Sequence, residues 1–170
     1  MYDMGDVRLV QQGIFPYQTE VSVDWLLLND GTLDETQELA TAVIVALGTD
    51  RLADVSDRLP DPDSTDRRGW WGDMDANLIW NAWPIGSRLW LLFREKITGS
   101  AAQQGSTMSR IKFYIQEALQ PFIDQRVASG MEVIVTRLDT QRITALVRLF
   151  RGPKTAIELQ YQILWQNIIG

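Results

Sequence analysis

Near its C-terminus the chain alternates with a period of two. Ile157, Leu159, Tyr161, Ile163 and Trp165 fall on one parity, and Glu158, Gln160 and Gln162 on the other. Apolar residues at every second position share a face only in a strand, because successive strand side chains leave opposite faces. A slip of one residue would bury the Glu and Gln set, so the register of this segment is strongly specified. Two further strands precede it, Glu132–Leu138 and Gln141–Phe150, joined through Asp139-Thr140, with Gly152-Pro153 forming the next turn. The C-terminal third is therefore expected to be a three-stranded antiparallel meander.

Upstream, the periodicity changes. Val7 and Leu9 alternate with charged neighbours, and Val21, Val23, Trp25 and Leu27 with Ser22 and Asp24, as half-buried strands do. Asp34 is a candidate N-cap for a helix over about 35–47, with Leu39, Val43, Ala46 and Leu47 on one face and Gly48 as terminator. Pro84-Ile85-Gly86-Ser87 introduces a second helix that would carry Leu89, Leu92, Phe93 and Ile97 and stop at Gly99. A longer one is expected at about 106–126, with Met108, Ile111, Ile115, Ala118, Leu119 and Phe122 spaced as one face, and a kink near Pro121. The fold class is α+β: helices packed on one face of a mainly antiparallel sheet, with a long Trp-rich loop between. At 170 residues, 1–170 is read as a single domain.

Composition narrows the chemistry. With no cysteine there is neither a disulfide nor a thiolate metal site. With no histidine there is no Ser-His-Asp or Cys-His arrangement, and the commonest general base is missing. A formal charge of −6, with no segment concentrating Lys and Arg, repels phosphate backbones, so nucleic acid is not an expected partner. Met1–Val10 carries two Asp and one Arg, unlike a signal peptide. The longest apolar run, Ala42–Leu47, is far short of the ~20 residues that span a bilayer. A soluble, intracellular chain without membrane partner, cofactor, metal or small-molecule substrate is expected.

Three chemistries are conceivable for the remaining residues. The acids Asp61, Asp63, Asp66, Asp73 and Asp75 invite a calcium loop, but one starting at Asp61 would need glycine where Asp66 stands and glutamate where Gly72 stands. A carboxylate pair for glycoside hydrolysis could be drawn from Glu95 and Glu117, or from Asp66 and Asp73. Nothing in the sequence holds either pair at the separation of roughly 5 to 9.5 Å that the mechanism needs. Phosphate-binding glycine loops are absent. No catalytic residue is expected.

Seven tryptophans stand out, and four of them (Trp70, Trp71, Trp80, Trp83) lie in or beside the loop that starts with the Pro/Asp stretch Leu59–Asp66. Arg67, Arg68, Trp70, Trp71 and Asp73 admit two readings. They could form a partner surface with Arg and Trp as its energetic anchors. They could instead form a self-packed loop whose indoles cap the core while Arg68 pairs with Asp66 or Asp73. The second is preferred, with one Trp of the adjacent pair free to do each job because extended backbone sends them to opposite sides.

Asp50-Arg51, Leu59-Pro60, Asp66-Arg67-Arg68-Gly69-Trp70-Trp71-Gly72-Asp73, Gly86-Ser87-Arg88-Leu89-Trp90-Leu91-Leu92, Arg94-Glu95-Lys96 and Glu117-Ala118-Leu119 resemble, in order and spacing, the Mu-like tailed-phage baseplate wedge protein family. The resemblance runs over about 23–150. It implies a baseplate subunit of a contractile tail, similar in fold to the T-even wedge protein once labelled lysozyme-like and to its type VI secretion counterpart. Its partners would be other baseplate wedge and sheath proteins, and its place the virion, after assembly in the host cytoplasm. Where the broader superfamily ends its long helix with Glu-Pro-Arg, this chain has Gln120-Pro121-Phe122, so an apolar contact through Phe122 could replace a charged one. A mechanism consistent with the meander is strand addition at the edge of the sheet, along the segment holding Gln160 and Gln162. The rival readings are a type VI or other contractile-injection subunit and a cell-wall glycan hydrolase.

Overall fold

The computed structural model describes residues 9–12, 22–25, 38–75, 83–93, 106–137 and 142–164. They fall into two compact units, 1–45 and 46–170. In the first, β1 (Leu9–Gln12) pairs antiparallel with β2 (Ser22–Trp25), Leu9 opposite Trp25 and Gln12 opposite Ser22. The alternation around Leu9 and Val23 thus marked a hairpin of two short strands.

Helix α1, Glu38–Gly48, begins in the first unit. It buries Val43, Ala46 and Leu47 and ends at Gly48. The expected cap at Asp34 and residues 35–37 lie outside the described residues.

The second unit is built on α2 (Ser106–Asp124) and on a sheet of β3 (Gly130–Arg137), β4 (Arg142–Arg151) and β5 (Lys154–Leu164). The strand order is β3-β4-β5, antiparallel throughout. This is an α+β arrangement. Ile111, Ile115, Ala118 and Leu119 are buried along one side of α2, at helical spacing, and α2 packs on β3. Tyr114 joins that stripe, whereas Met108 and Phe122 are only half-buried. The helix continues through Pro121, and the Gln125 N–H returns to the Pro121 carbonyl at 2.9 Å.

In the sheet, Ile143, Ala145, Val147 and Leu149 of β4 are buried, and Val133 of β3, opposite Val147, is buried with them. The other face carries charge across three strands: Arg148 bonds Glu132 on β3 at 2.9 Å and Glu158 on β5 at 2.6 Å. Hydrogen bonds to those two carboxylates, first Glu158 and then Glu132, raise the Arg148 guanidinium above its ordinary value. The register sets Ile157, Leu159, Tyr161 and Ile163 opposite Leu149, Val147, Ala145 and Ile143. It is broken once, because Phe150 faces Thr155 while Leu149 faces Ile157, leaving Ala156 as a bulge. The burial expected for the β5 side chains, and for Trp165, lies outside the described residues.

In its described part, the helix expected after Pro84 is a 3₁₀ turn, Arg88–Leu92, closed by Phe93 N–H to the Trp90 carbonyl at 3.2 Å. All five of its residues are buried, which a one-sided amphipathic stripe does not anticipate. Phe93, assigned to the buried face from sequence, is 49% exposed. Ile97 and Gly99 lie outside the described residues.

Candidate interaction site around Arg88 and the tryptophan loop

Two segments far apart in sequence lie side by side at the start of this site. Ser87 N–H bonds to the Thr49 carbonyl at 2.9 Å and Arg51 N–H to the Ser87 carbonyl at 3.0 Å, forming an isolated parallel bridge. Ser87 Oγ also donates to the Leu47 carbonyl at 2.8 Å. The approach is so close that a Cβ on Gly86 would stand 2.5 Å from the Thr49 oxygen, and Gly86 has φ +103. Only glycine fits both demands.

That bridge delivers Arg88 into a buried position beside α2. Its Nε and one Nη donate to the two carboxylate oxygens of Glu117 at 2.9 and 2.7 Å. The other Nη reaches Asp54 at 2.7 Å and Asp57 at 2.8 Å, and the guanidinium lies 5.2 Å from the ring centre of Tyr114. Burial by itself lowers the Arg88 pKa; hydrogen bonds to Glu117 and then Asp57 outweigh it and hold the group above its ordinary value. Arg51 approaches the same Glu117 at 3.9 Å and covers the Trp83 ring at 4.9 Å. Trp90, almost wholly buried, donates its indole N–H to the Arg51 carbonyl at 2.8 Å.

The tryptophan loop closes over this cluster by backbone contacts. Ala53 N–H bonds to the Arg67 carbonyl at 3.0 Å, and the Arg67 guanidinium caps the carbonyls of Asp54 and Val55. Arg68 takes the left-handed conformation, φ 54, followed by Gly69 at φ 103, with the Arg68 N–H held by Asp66 at 2.8 Å. Gly69 lies against Leu52, where a Cβ would meet the Leu52 side chain at 3.0 Å. The Arg68 side chain pairs with Asp50 at 2.5 Å and lies over Trp90, 4.6 Å from its centroid, and Phe93 at 5.6 Å. The expected partners Asp66 and Asp73 are not the ones it takes. Asp66 binds only its backbone, and Asp73 instead accepts the Ile85 N–H at 3.0 Å.

Trp70 and Trp71 do not lie on opposite sides of an extended backbone. Their rings lie 5.2 Å apart at 48°, on the same side, because Trp71 opens a 3₁₀ turn, Trp71–Asp75, and the backbone there is not extended. Trp70 is half-buried against Gly72; Trp71 is 76% exposed. Neither indole is a core residue. Together with Leu52, Val55 and Phe93, Trp71 forms part of the exposed apolar surface of this unit.

Acids of the Pro/Asp stretch serve local turns: Asp61 accepts the Asp63 N–H at 3.1 Å and Asp66 the Arg68 N–H at 2.8 Å. Gln160 and Gln162 face Leu146 and Thr144 in the register of β5. Their side chains lie outside the described residues, as does Glu95.

Sequence reasoning missed Arg88 as the centre of the site. A signal was present, since Asp50-Arg51, Gly86-Ser87-Arg88 and Glu117 were the strings that carried the resemblance, and they meet here. The chain is 50% identical over 82 residues to Baseplate protein gp46 of Escherichia phage Mu, which amounts to 48% of this chain and 48% of that protein. It thus spans about half the length of that relative. The family model described as Phage protein GP46 matches residues 39–156 and so takes in the Asp50–Ser87 bridge, the tryptophan loop, Arg88 and Glu117 together. By that match over more than half its length, the chain belongs to the phage protein GP46 family.

Proposed function

We propose that this chain is a structural subunit of a contractile-tail baseplate, a wedge component that holds neighbouring baseplate proteins and helps start the sheath. It would reside in the virion after assembly in the bacterial cytoplasm. The observation that carries this reading is the 50% identity over 82 residues to a protein named as a baseplate protein. The geometry supports a non-enzymatic role. Glu117, one of the acids considered for hydrolysis, has both oxygens engaged by Arg88, so it is a structural counter-ion and not an acid free to protonate a leaving group. We also propose that 1–170 acts as one domain; the family match over 39–156 runs from the end of the first unit through most of the second.

Partner binding is proposed at two places. One is the exposed loop surface around Trp71, with Arg67, Arg68, Trp70 and Asp73 shaping the loop that presents it. The other is the edge strand β5, where an added strand would pair along Gln160 and Gln162.

The composition of purified tail particles tests the main reading, with the gene intact and deleted. Presence of the chain in the particles, and loss of sheathed tails on deletion, is the expected result. Normal tails without the chain would overturn it. For strand addition, proline is placed at Gln160 and, separately, at Tyr161. Of two successive residues one N–H turns toward β4 and the other outward, so one variant should keep its fold and lose assembly. Unchanged assembly in the folded variant sinks the mechanism.

A further inference from the structure

Where α2 ends and the chain turns into β3, a hollow of about 670 Å³ opens against the β4–β5 turn. Ile123, Val127 and Ala128 give it an apolar lining, and Ser129, Arg126 and Arg151 its polar one. Its walls are tied together. Arg151 Nε donates to the Val127 carbonyl at 3.0 Å, Gly152 N–H to Ser129 Oγ at 2.9 Å, and Ser129 Oγ to the Phe150 carbonyl at 3.1 Å. The Nη groups of Arg151 and the whole guanidinium of Arg126 have no carboxylate partner among the described residues, and none of the lining residues is acidic. The hollow is therefore cationic, within a chain whose net charge is −6.

A second observation points the same way. Arg126 follows the helix in the left-handed conformation, φ 61, with its N–H bonded back to the Ile123 carbonyl at 3.0 Å. Glycine is the usual residue at this position, because a Cβ is disfavoured there. Arginine here bears a backbone cost that glycine would avoid, and its side chain lines the hollow.

We propose that this hollow is a docking site for an acidic segment of another protein, with an apolar side chain against Ile123 and Val127 and a carboxylate between Arg126 and Arg151. Guanidinium groups match carboxylates with two parallel hydrogen bonds, and the apolar lining adds burial that a simple ion cannot use. A nucleic acid is the less fitting anion, since a long polyanion would meet the net negative charge of the remaining surface.

The test titrates the full chain with the blocked peptide acetyl-Gly-Leu-Asp-Glu-Leu-Gly-amide, with its Asn/Gln counterpart, and with a twelve-nucleotide single strand of DNA. The acidic peptide should bind about tenfold more tightly than its amide counterpart, and more weakly as salt is raised. Arg126→Gly should lose about tenfold in affinity while melting no lower than the parent chain, because glycine suits φ 61. A merely structural arginine would not give that combination. Absence of peptide binding at millimolar concentration, equal binding of the two peptides, undiminished affinity in Arg126→Gly, or tighter binding of the DNA would each overturn the proposal.

Discussion

Arg88 and Glu117, 29 residues apart, meet in a two-point contact of 2.9 and 2.7 Å that fastens the 3₁₀ turn to α2. Both side chains are largely withdrawn from water, as is Asp57 on the opposite side of the guanidinium. Truncating one member strands the others. Arg88→Ala should destabilise the fold by about 3–5 kcal/mol, because it leaves Asp57 without its counter-charge and Glu117 with only the longer contact to Arg51 at 3.9 Å. Arg88→Lys should recover only part of this, since a single ammonium cannot address Glu117 by two parallel bonds while also reaching Asp57. Denaturant melts of the two variants check the order; a loss under about 1 kcal/mol for Arg88→Ala would place the pair in the class of screened surface bridges.

Gly86 and Gly152 both have positive φ, yet their surroundings differ. A methyl group at Gly86 runs into the Thr49 backbone at 2.5 Å, whereas at Gly152 it meets nothing within 4 Å. Gly152→Ala should therefore cost only the left-handed penalty, roughly 1–2 kcal/mol. Gly86→Ala should cost more, because the Asp50–Ser87 bridge must also open. Equal melting temperatures for the two variants would show that the bridge contributes little.

The contrast between what the chain announces and what it conceals follows from the range of each interaction. β3, β4, β5 and α2 were legible because burial on one face imposes a period, and period survives in sequence whatever the partner is. The segment 84–93 was misread for the same reason. Arg88–Leu92 is buried all round, so it carries no stripe to read, and a 3₁₀ turn leaves no longer pattern behind it. The Arg68 contact with Asp50 spans 18 residues and the Arg88 contact with Glu117 spans 29, distances over which charge pairing leaves no local trace. The exposure of Trp71 was equally hidden, since whether an indole is packed or presented depends on the left-handed step at Arg68 and Gly69 just before it.

The two kinds of tryptophan should respond differently to truncation. Trp90 is 3% exposed, donates its indole N–H to the Arg51 carbonyl and lies under Arg68, so Trp90→Ala should cost about 3–5 kcal/mol. Trp71→Ala removes a ring that is 76% exposed and touches mainly Trp70, and its cost should stay below about 1 kcal/mol. Paired melts decide this directly. A loss of 3 kcal/mol or more for Trp71→Ala would mean that the ring is part of the core after all.

Arg68 should show an inverted order of substitutions. Its φ of 54 is a conformation in which a Cβ is penalised by about 1–2 kcal/mol, a penalty that glycine escapes. Its side chain meanwhile pairs with Asp50 and lies over Trp90 and Phe93, at sites that are still partly open to water. An exposed ion pair of this kind contributes about 0.2–1 kcal/mol, and an exposed cation over a ring about 0.5–1 kcal/mol. Arg68→Ala loses both contacts and keeps the backbone strain, so it should be the most destabilised variant. Arg68→Gly loses the same contacts but relieves the strain, and should melt at or near the parent temperature. Asp50→Asn, which removes only the charge of the pair, should fall between them and lose its effect in high salt. In an ordinary loop alanine is the milder replacement and glycine the harsher one, because glycine loosens the unfolded chain. Finding that familiar order here, with Arg68→Gly less stable than Arg68→Ala, would show that the left-handed step at Arg68 is not retained in solution.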